Sequence, residues 1–146
     1  MDNIYNFLPV FQGLDEDALE FLAHNATSRE FKAGEVIIRE GESGNLIYII
    51  SSGSVRVVKH FGQPNATELD ILRDRDFFGE ICLLDSAPRS ATVQALTDTN
   101  LYLLTPAIFE ELNERMPRQF CLCIINIARD LSRRLRRIDE VFAARH

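Results

Sequence analysis

The residues best suited to chemistry lie close together in residues 77–93, FFGEICLLDSAPRSATV. Within this stretch, Arg89 follows a proline and precedes the small residues Ser90 and Ala91. A guanidinium fork bonds two phosphate oxygens at once, and charge-assisted bonds of this kind are strong. An arginine beside small residues and free backbone N–H groups is therefore a candidate phosphate site.

A glycine and a carboxylate stand at the other end of the same stretch. Gly79 has no side chain, so the backbone there can come close to another group. Glu80 follows it, and a carboxylate beside an anion site is expected when it accepts hydrogen bonds from ribose hydroxyls. A short helical turn at residues 81–84 would direct its first N–H groups at the same anion. Phosphate and ribose together indicate a nucleotide; the alternative is that Glu80 and Arg89 only pair with each other across a turn.

Short strands between helical segments are expected to hold these residues in place. Apolar residues recur at helical spacing over residues 14–24, which predicts a first helix. Over residues 26–105, short β-branched runs alternate with glycine, serine, asparagine and proline, as in a sandwich, jelly roll or barrel. Strands are expected at residues 28–31, 36–39, 46–51, 54–60, 66–72, 91–95 and 100–104.

Two prolines mark the start of the final helices. Pro106 suits the first turn of a helix running to about Arg115, and Pro117 suits the start of a long one from about Arg118 towards Phe142. The chain is therefore expected to be one mainly β domain over residues 1–146. It would be an antiparallel β-roll or jelly roll at residues 26–105, with an N-terminal helix and C-terminal helices at residues 106–142.

The stretch FGEICLLDSAPRSATV closely resembles the phosphate-binding cassette of cyclic nucleotide-binding domains. This is the family of the bacterial catabolite activator protein, the regulatory subunits of cAMP-dependent kinase and the gated channels. Upstream, KAGEVIIREGESGNLIYIISSGSVRVV resembles the first four strands of that family, with glycines at the turns. The resemblance covers about residues 8–138, and a motif of this length in the right strand context is specific.

The resemblance implies a role for each part of the cassette. Arg89 would bind the equatorial oxygens of the cyclic phosphate, and Glu80 would bind the ribose 2′-hydroxyl. Backbone N–H groups near Cys82 and Ala91 would complete the phosphate cradle, and Ser90 would lie near phosphate and base. Cys82 departs from the commoner alanine or serine but is still small. The ligand-binding residues expected in this way are Gly79, Glu80, Ile81, Cys82, Arg89, Ser90, Ala91, Arg134 and Leu135.

The last helix has apolar residues on two faces. One stripe steps by three and four, and Leu122 and Ile125 add a second face in the first half. A helix of this kind needs two partners, and the resemblance implies that one is the same helix of a second subunit, in a homodimer. The alternative is that both faces pack within one chain. The stripe consists of Ile124, Ile127, Leu131, Leu135, Ile138 and Phe142.

The resemblance also places the last helix over the base of the nucleotide. The positions facing the base would be Arg134 and Leu135. The alternative for Arg134 is one more solvated arginine in a crowded run, since five arginines lie between residues 129 and 137.

Charge and composition argue against several other classes. A net charge of −6 argues against DNA or RNA as the main partner. No apolar run approaches the roughly 18 residues that would span a bilayer. The three cysteines form no disulfide framework, which favours reduced thiols in the cytoplasm. No phosphate-binding loop of the Walker type, nucleophile or cluster of metal ligands is evident, so neither an enzyme nor a metal site of the cupin type is expected.

The sequence therefore predicts a cyclic nucleotide-binding regulatory domain in signal transduction, with cAMP as the ligand and cGMP possible. Ser90 falls between the threonine common in cGMP-selective members and the alanine of kinase cAMP sites. The alternative is the sensor half of a catabolite activator-type transcription regulator that lacks its DNA-binding domain. Whether the chain is free-standing or a fragment stays open, and this chain alone is not expected to bind specific DNA.

Overall fold

A computed structural model describes residues 9–79 and 87–145 of the chain. These residues form two compact units. The first, His24–Glu110, is here called the β unit, and the segments on either side of it form the helical unit. The helices are α1 (Glu16–Asn25), α2 (Pro106–Arg115) and α3 (Pro117–Arg145), preceded by a 3₁₀ turn at Pro9–Phe11.

The β unit contains two antiparallel sheets of four strands each. One has the order β1-β8-β3-β6 and the other β2-β7-β4-β5. The strands are β1 (Thr27–Phe31), β2 (Val36–Ile38), β3 (Ile47–Ser52), β4 (Ser54–Lys59), β5 (Thr67–Arg73), β6 (Phe77–Phe78), β7 (Thr92–Ala95) and β8 (Thr99–Leu104). The expected fold class, antiparallel β with an N-terminal helix and a long C-terminal helix, is confirmed.

Both sheets contribute to one apolar core. Alternate residues of β3, Tyr48 and Ile50, pack in it with Val55 of β4 and Val93 of β7. The intervening residues Ile47 and Ile49 are also buried, so β3 is covered on both faces, as its unbroken apolar run indicates.

The expected strands match the observed ones to within one or two residues, but β6 was not predicted. Its two residues, Phe77 and Phe78, pair with Ile49 and Tyr48 of β3. A strand this short cannot display the alternation by which strands are identified. Its position matters, because Gly79 comes immediately after it.

In the helical unit, a buried asparagine joins α3 to the N-terminal segment. The Nδ2 atom of Asn126 donates to the carbonyl oxygens of Val10, at 3.1 Å, and Gln12, at 2.9 Å. Cys123 and Ile127 are buried on the same side of α3. The start of α1 is capped by Asp15, whose Oδ1 accepts from the N–H of Ala18 at 2.9 Å.

The burial of the apolar stripe decreases along α3. Ile127 is buried, and Ile124 and Leu131 are half-buried. Farther along, Leu135 is 60% exposed and Ile138 is 49% exposed. Leu135 and Ile138 are thus largely uncovered by the described part of the chain.

Candidate functional site

The guanidinium of Arg89 is held by two backbone carbonyls from distant parts of the chain. Its Nη1 atom donates to the carbonyl of Gly79 at 3.1 Å, and Nη2 donates to the carbonyl of Leu46 at 2.9 Å. Leu46 lies just before β3 and Gly79 just after β6, two strands that pair with each other. The structure therefore brings together Arg89 and Gly79, two of the expected site residues, and adds Leu46. We call Arg89 with Gly44, Leu46 and Gly79 the arginine seat.

Within the described residues, the arginine seat engages two of the N–H donors of Arg89. A guanidinium has five N–H donors, and two are engaged by these carbonyls. Among residues 9–79 and 87–145, no carboxylate forms a salt bridge with Arg89. The side chain is only half-buried. Two carbonyls thus orient the guanidinium, and no carboxylate among the described residues neutralises its charge.

Two glycines make room for the guanidinium. A Cβ on Gly44 would lie 2.7 Å from Nε of Arg89. A Cβ on Gly79 would lie 2.6 Å from the carbonyl oxygen of Leu46 and 2.9 Å from Nη1 of Arg89. Gly79 also has φ of +83°, a conformation that L-residues rarely adopt. The group that lies close to Gly79 in the structure is Arg89, and the close approach of a phosphate to this glycine stays a prediction. The contact of Gly44 was missed, because only long-range pairing joins it to Arg89.

The backbone of Arg89 is fixed as firmly as its side chain. Its N–H donates to the carbonyl of Glu42 at 2.9 Å, and its carbonyl accepts from the N–H of Gly41 at 2.8 Å. Two positions before Glu42, the N–H of Glu40 donates to Oγ1 of Thr92 at 3.0 Å. The turn after β2 therefore binds the segment that leads from Arg89 into β7.

The two residues after Arg89 lie in that tethered segment. Ser90 is exposed, and its carbonyl oxygen accepts from Nζ of Lys59 at 2.8 Å. Ala91 is buried. A pair of aromatic rings lies nearby in the core: Tyr48 and Phe78 stack with centroids 4.9 Å apart. The ring of Tyr48 would be 3.4 Å from a Cβ on Gly79, so it supports the turn at that glycine.

The remaining expected site residues fall elsewhere. Glu80, Ile81 and Cys82 lie outside the described residues, so their roles stay predictions, as does pairing of Glu80 with Arg89. Arg134 and Leu135 belong to the helical unit. There, Nε of Arg134 lies 2.7 Å from Oδ2 of Asp130, and these two side chains are 13% and 17% exposed.

No group of three or more His, Cys, Asp or Glu residues in the described part of the chain is arranged to hold a metal ion. Nor is any helix there both long enough and apolar enough to cross a membrane. Burial raises the pKa of the Cys123 thiol to about 12, so this group stays protonated and unreactive at neutral pH.

Comparison with known proteins places this geometry in a family. A sequence profile of the family described as "Cyclic nucleotide-binding domain" matches residues 28–116. The chain is 34% identical over 132 residues to the cyclic AMP receptor protein of Thermus thermophilus, covering 90% of this chain and 59% of that protein. It is 32% identical over 111 residues to the cAMP-dependent protein kinase regulatory subunit of Yarrowia lipolytica, covering 76% of this chain and 29% of that one.

A solved structure agrees with the sequence comparisons. The crystal structure of the Thermus thermophilus catabolite activator protein superposes with a TM-score of 0.76 at 32% identity, covering 93% of this chain and 62% of that chain. The chain thus spans less than two thirds of the length of these relatives. The arginine seat lies between strands that the family profile matches. On these grounds, the chain belongs to the cyclic nucleotide-binding domain family.

Proposed function

We propose that this chain is a regulatory domain that binds a cyclic nucleotide, cAMP in preference to cGMP, through the arginine seat. The proposal rests on the orientation and the charge of the Arg89 guanidinium. Two backbone carbonyls orient its guanidinium, and its three other N–H groups have no carboxylate partner among the described residues. An oriented, half-buried cation of this kind suits an anion with two equivalent oxygens, as in a cyclic phosphate diester.

The rest of the ligand is assigned to the neighbouring residues. The N–H groups of Ile81, Cys82 and Ala91 would bond the other side of the phosphate, and Glu80 would accept from the ribose 2′-hydroxyl. Comparing cAMP with its 2′-deoxy analogue tests the role of Glu80. Equal affinities would mean that Glu80 does something else, such as pairing with Arg89.

The preference for cAMP draws its support from the names of two relatives. Two of the relatives carry cyclic AMP in their names, the receptor protein of Thermus thermophilus and the kinase regulatory subunit of Yarrowia lipolytica. Ser90 has a hydroxyl that is able to bond to a guanine amino group, so cGMP is the competitor to compare. A preference for cGMP of tenfold or more in competition binding would reverse the assignment.

We also propose that α3 forms a homodimer and covers the base. Exposed Leu135 and Ile138 support a second subunit on this helix. Arg134, with Leu135, would meet the purine. Bound nucleotide should then slow hydrogen exchange across residues 131–138, and Arg134→Ala should weaken binding more than Arg137→Ala. Unchanged exchange at saturating nucleotide would rule out the cover.

Calorimetric titration of the wild-type chain tests the proposed function. The ligands are cAMP, cGMP, cyclic dinucleotides and 5′-AMP, the last having the same base and sugar with an uncyclised phosphate. Saturable binding of cAMP at least tenfold tighter than that of 5′-AMP is expected. Absence of saturable binding by both cAMP and cGMP would reject the proposal.

A second candidate is the sensor half of a bacterial transcription regulator. The match of 90% of this chain to 59% of the Thermus thermophilus cyclic AMP receptor protein favours it. The gene sequence beyond the codon for His146 distinguishes the two candidates. In either case we propose a cytoplasmic location, in keeping with the free thiols of Cys121 and Cys123. We also propose that this chain alone has no catalytic activity and binds no specific DNA sequence.

A further inference from the structure

The last residue of β4 connects the segment after Arg89 to the turn after β2. The ammonium Nζ of Lys59 donates to the carbonyl of Ser90 at 2.8 Å and lies 3.2 Å from Oε2 of Glu40. The ladder between β4 and β7 ends at the pair Val58 and Thr92. Beyond that pair, the side chain of Lys59 bonds the carbonyl of Ser90.

Glu40 in turn fixes the position of the lysine. Its Oε1 atom accepts from the N–H of His60 at 2.9 Å, while Oε2 faces Lys59. The bond from His60, and to a lesser degree Lys59, lowers the pKa of Glu40 from its ordinary value of 4.5, so the carboxylate is ionised at neutral pH. Because its own N–H bonds Thr92, Glu40 is tied to the same segment from its backbone as well.

The bond from Lys59 sets the orientation of a whole peptide group. The peptide that joins Ser90 to Ala91 is planar and trans, so its C=O and N–H point in opposite directions. With the carbonyl of Ser90 turned towards Lys59, the N–H of Ala91 is directed to the other side. That N–H is one of the donors assigned above to the cyclic phosphate.

We propose that Lys59, held by Glu40, is a positioning residue for the phosphate site, which orients the N–H of Ala91 towards the ligand. The inference rests on the proposed function of the arginine seat. Lys59 does not replace Arg89: two of the three N–H donors of its ammonium face Ser90 and Glu40. We expect Lys59 to contribute to ligand affinity. Its contribution to the free energy of unfolding is small, because its side chain is 40% exposed.

The test measures affinity for cAMP in Lys59→Met, which keeps the length of the side chain and removes its charge and donors. A loss of about tenfold is expected, with an unchanged melting temperature. Lys59→Arg should recover affinity to within about threefold of wild type, since it retains a charged donor. Glu40→Gln should cost about threefold, because the amide still accepts from His60 but no longer attracts the lysine. The matched control is Lys32→Met, since Lys32 pairs with Glu30 at 2.9 Å on the surface of the same unit.

A second readout separates positioning from folding. Replacing either exocyclic oxygen of cAMP by sulfur gives two phosphorothioate diastereomers, and the single N–H of Ala91 would bond only one of the two positions. Lys59→Met should therefore change the ratio of their dissociation constants by at least about threefold, whereas a general loss of structure lowers both affinities by one factor.

The results distinguish failure of the positioning role of Lys59 from failure of the proposed cyclic nucleotide binding. If the wild-type chain binds cAMP and Arg89→Ala does not, unchanged affinity and an unchanged diastereomer ratio in Lys59→Met overturn the positioning role alone. If the wild-type chain binds no cyclic nucleotide, both proposals fall. Loss of affinity in Lys32→Met equal to that in Lys59→Met would also overturn the inference, since the effect would then be one of surface charge.

Discussion

The arginine seat and the second half of α3 both contain arginine, yet the residues around the arginines are arranged in opposite ways. At the seat, the backbone and the side chain of Arg89 both form hydrogen bonds with groups of the same unit. Two glycines leave the space that its guanidinium occupies. Along α3, Leu135 and Ile138 lie exposed among arginines. The described part of the seat is already arranged around Arg89, whereas Leu135 and Ile138 form an apolar surface that the described residues leave largely exposed. A preformed site suits a small ligand, and an uncovered stripe suits a macromolecular partner.

The largest effect is expected from crowding the seat. Gly79→Ala places a Cβ against the carbonyl of Leu46 in a left-handed backbone conformation, so it should lower the free energy of unfolding by about 3 kcal/mol. Gly62→Ala is the matched control, because Gly62 has φ of +79° with no atom within 4 Å of the added carbon. It should cost only about 1 kcal/mol. Urea unfolding of the two variants measures the difference, and equal losses would mean that the seat is not tightly packed.

Substitutions in the exposed half of α3 should weaken dimer formation and leave the fold of the single chain intact. Replacing Leu135 and Ile138 together by Asp should raise the dissociation constant of the dimer by at least about a hundredfold, since each buried apolar side chain contributes about 1.5–3 kcal/mol. Sedimentation equilibrium measures the change. Leu69→Asp is the control, because Leu69 is 48% exposed on β5, away from this helix in sequence. A wild-type chain that sediments as a monomer at all concentrations would contradict the dimer.

Gly44→Ala probes the seat without backbone strain. The added carbon would lie 2.7 Å from Nε of Arg89, and a flexible side chain can move away at small cost in stability. The displaced guanidinium should bind cAMP about tenfold more weakly, as calorimetry measures. Combined with Arg89→Ala, the same substitution should have no further effect, because the group that it displaces is gone. An equal loss in both backgrounds would show that Gly44 acts independently of the arginine.

The smallest effect is expected for the ion pair of α3. Asp130→Asn removes the charge facing Arg134 in a mostly buried pair and should cost about 1 kcal/mol in the free energy of unfolding. Glu111→Gln is the control, since Glu111 and Arg115 form a pair of the same spacing with side chains 51% and 58% exposed. Its cost should be about 0.3–0.5 kcal/mol. Chemical denaturation at low salt compares them, and equal costs would mean that burial does not strengthen the Asp130 pair.

Sequence patterns predicted the elements of this fold better than the contacts of its site. Helical spacing, prolines at helix starts and β-branched runs are local signals, and they placed α2, α3 and seven of the eight strands within a few residues. The chemistry of Arg89 was likewise visible from its residue type and its neighbours. The two-residue strand β6 carries too little sequence to form a pattern.

The supports of the site could not be read from the sequence because they are backbone groups. The carbonyls of Leu46 and Glu42, and the space above Gly44, become partners of Arg89 only when the sheets form. Lys59 and Glu40 were overlooked for a related reason. Each is an ordinary surface charge in the sequence, and only the end of the β4–β7 ladder brings the lysine to the carbonyl of Ser90.

The most direct test of the central claim is the affinity of Arg89→Ala for cAMP, measured by calorimetry beside Arg73→Ala. Arg73 is an exposed arginine at the end of β5 in the same unit, so it controls for the loss of one positive charge. Removing one partner of a desolvated charge pair costs roughly 2–5 kcal/mol, so Arg89→Ala should weaken binding at least about thirtyfold, while Arg73→Ala binds as wild type does. Arg89→Lys should also lose affinity, because an ammonium cannot bond two phosphate oxygens in a fork. A folded Arg89→Ala variant that binds cAMP with wild-type affinity would contradict the account.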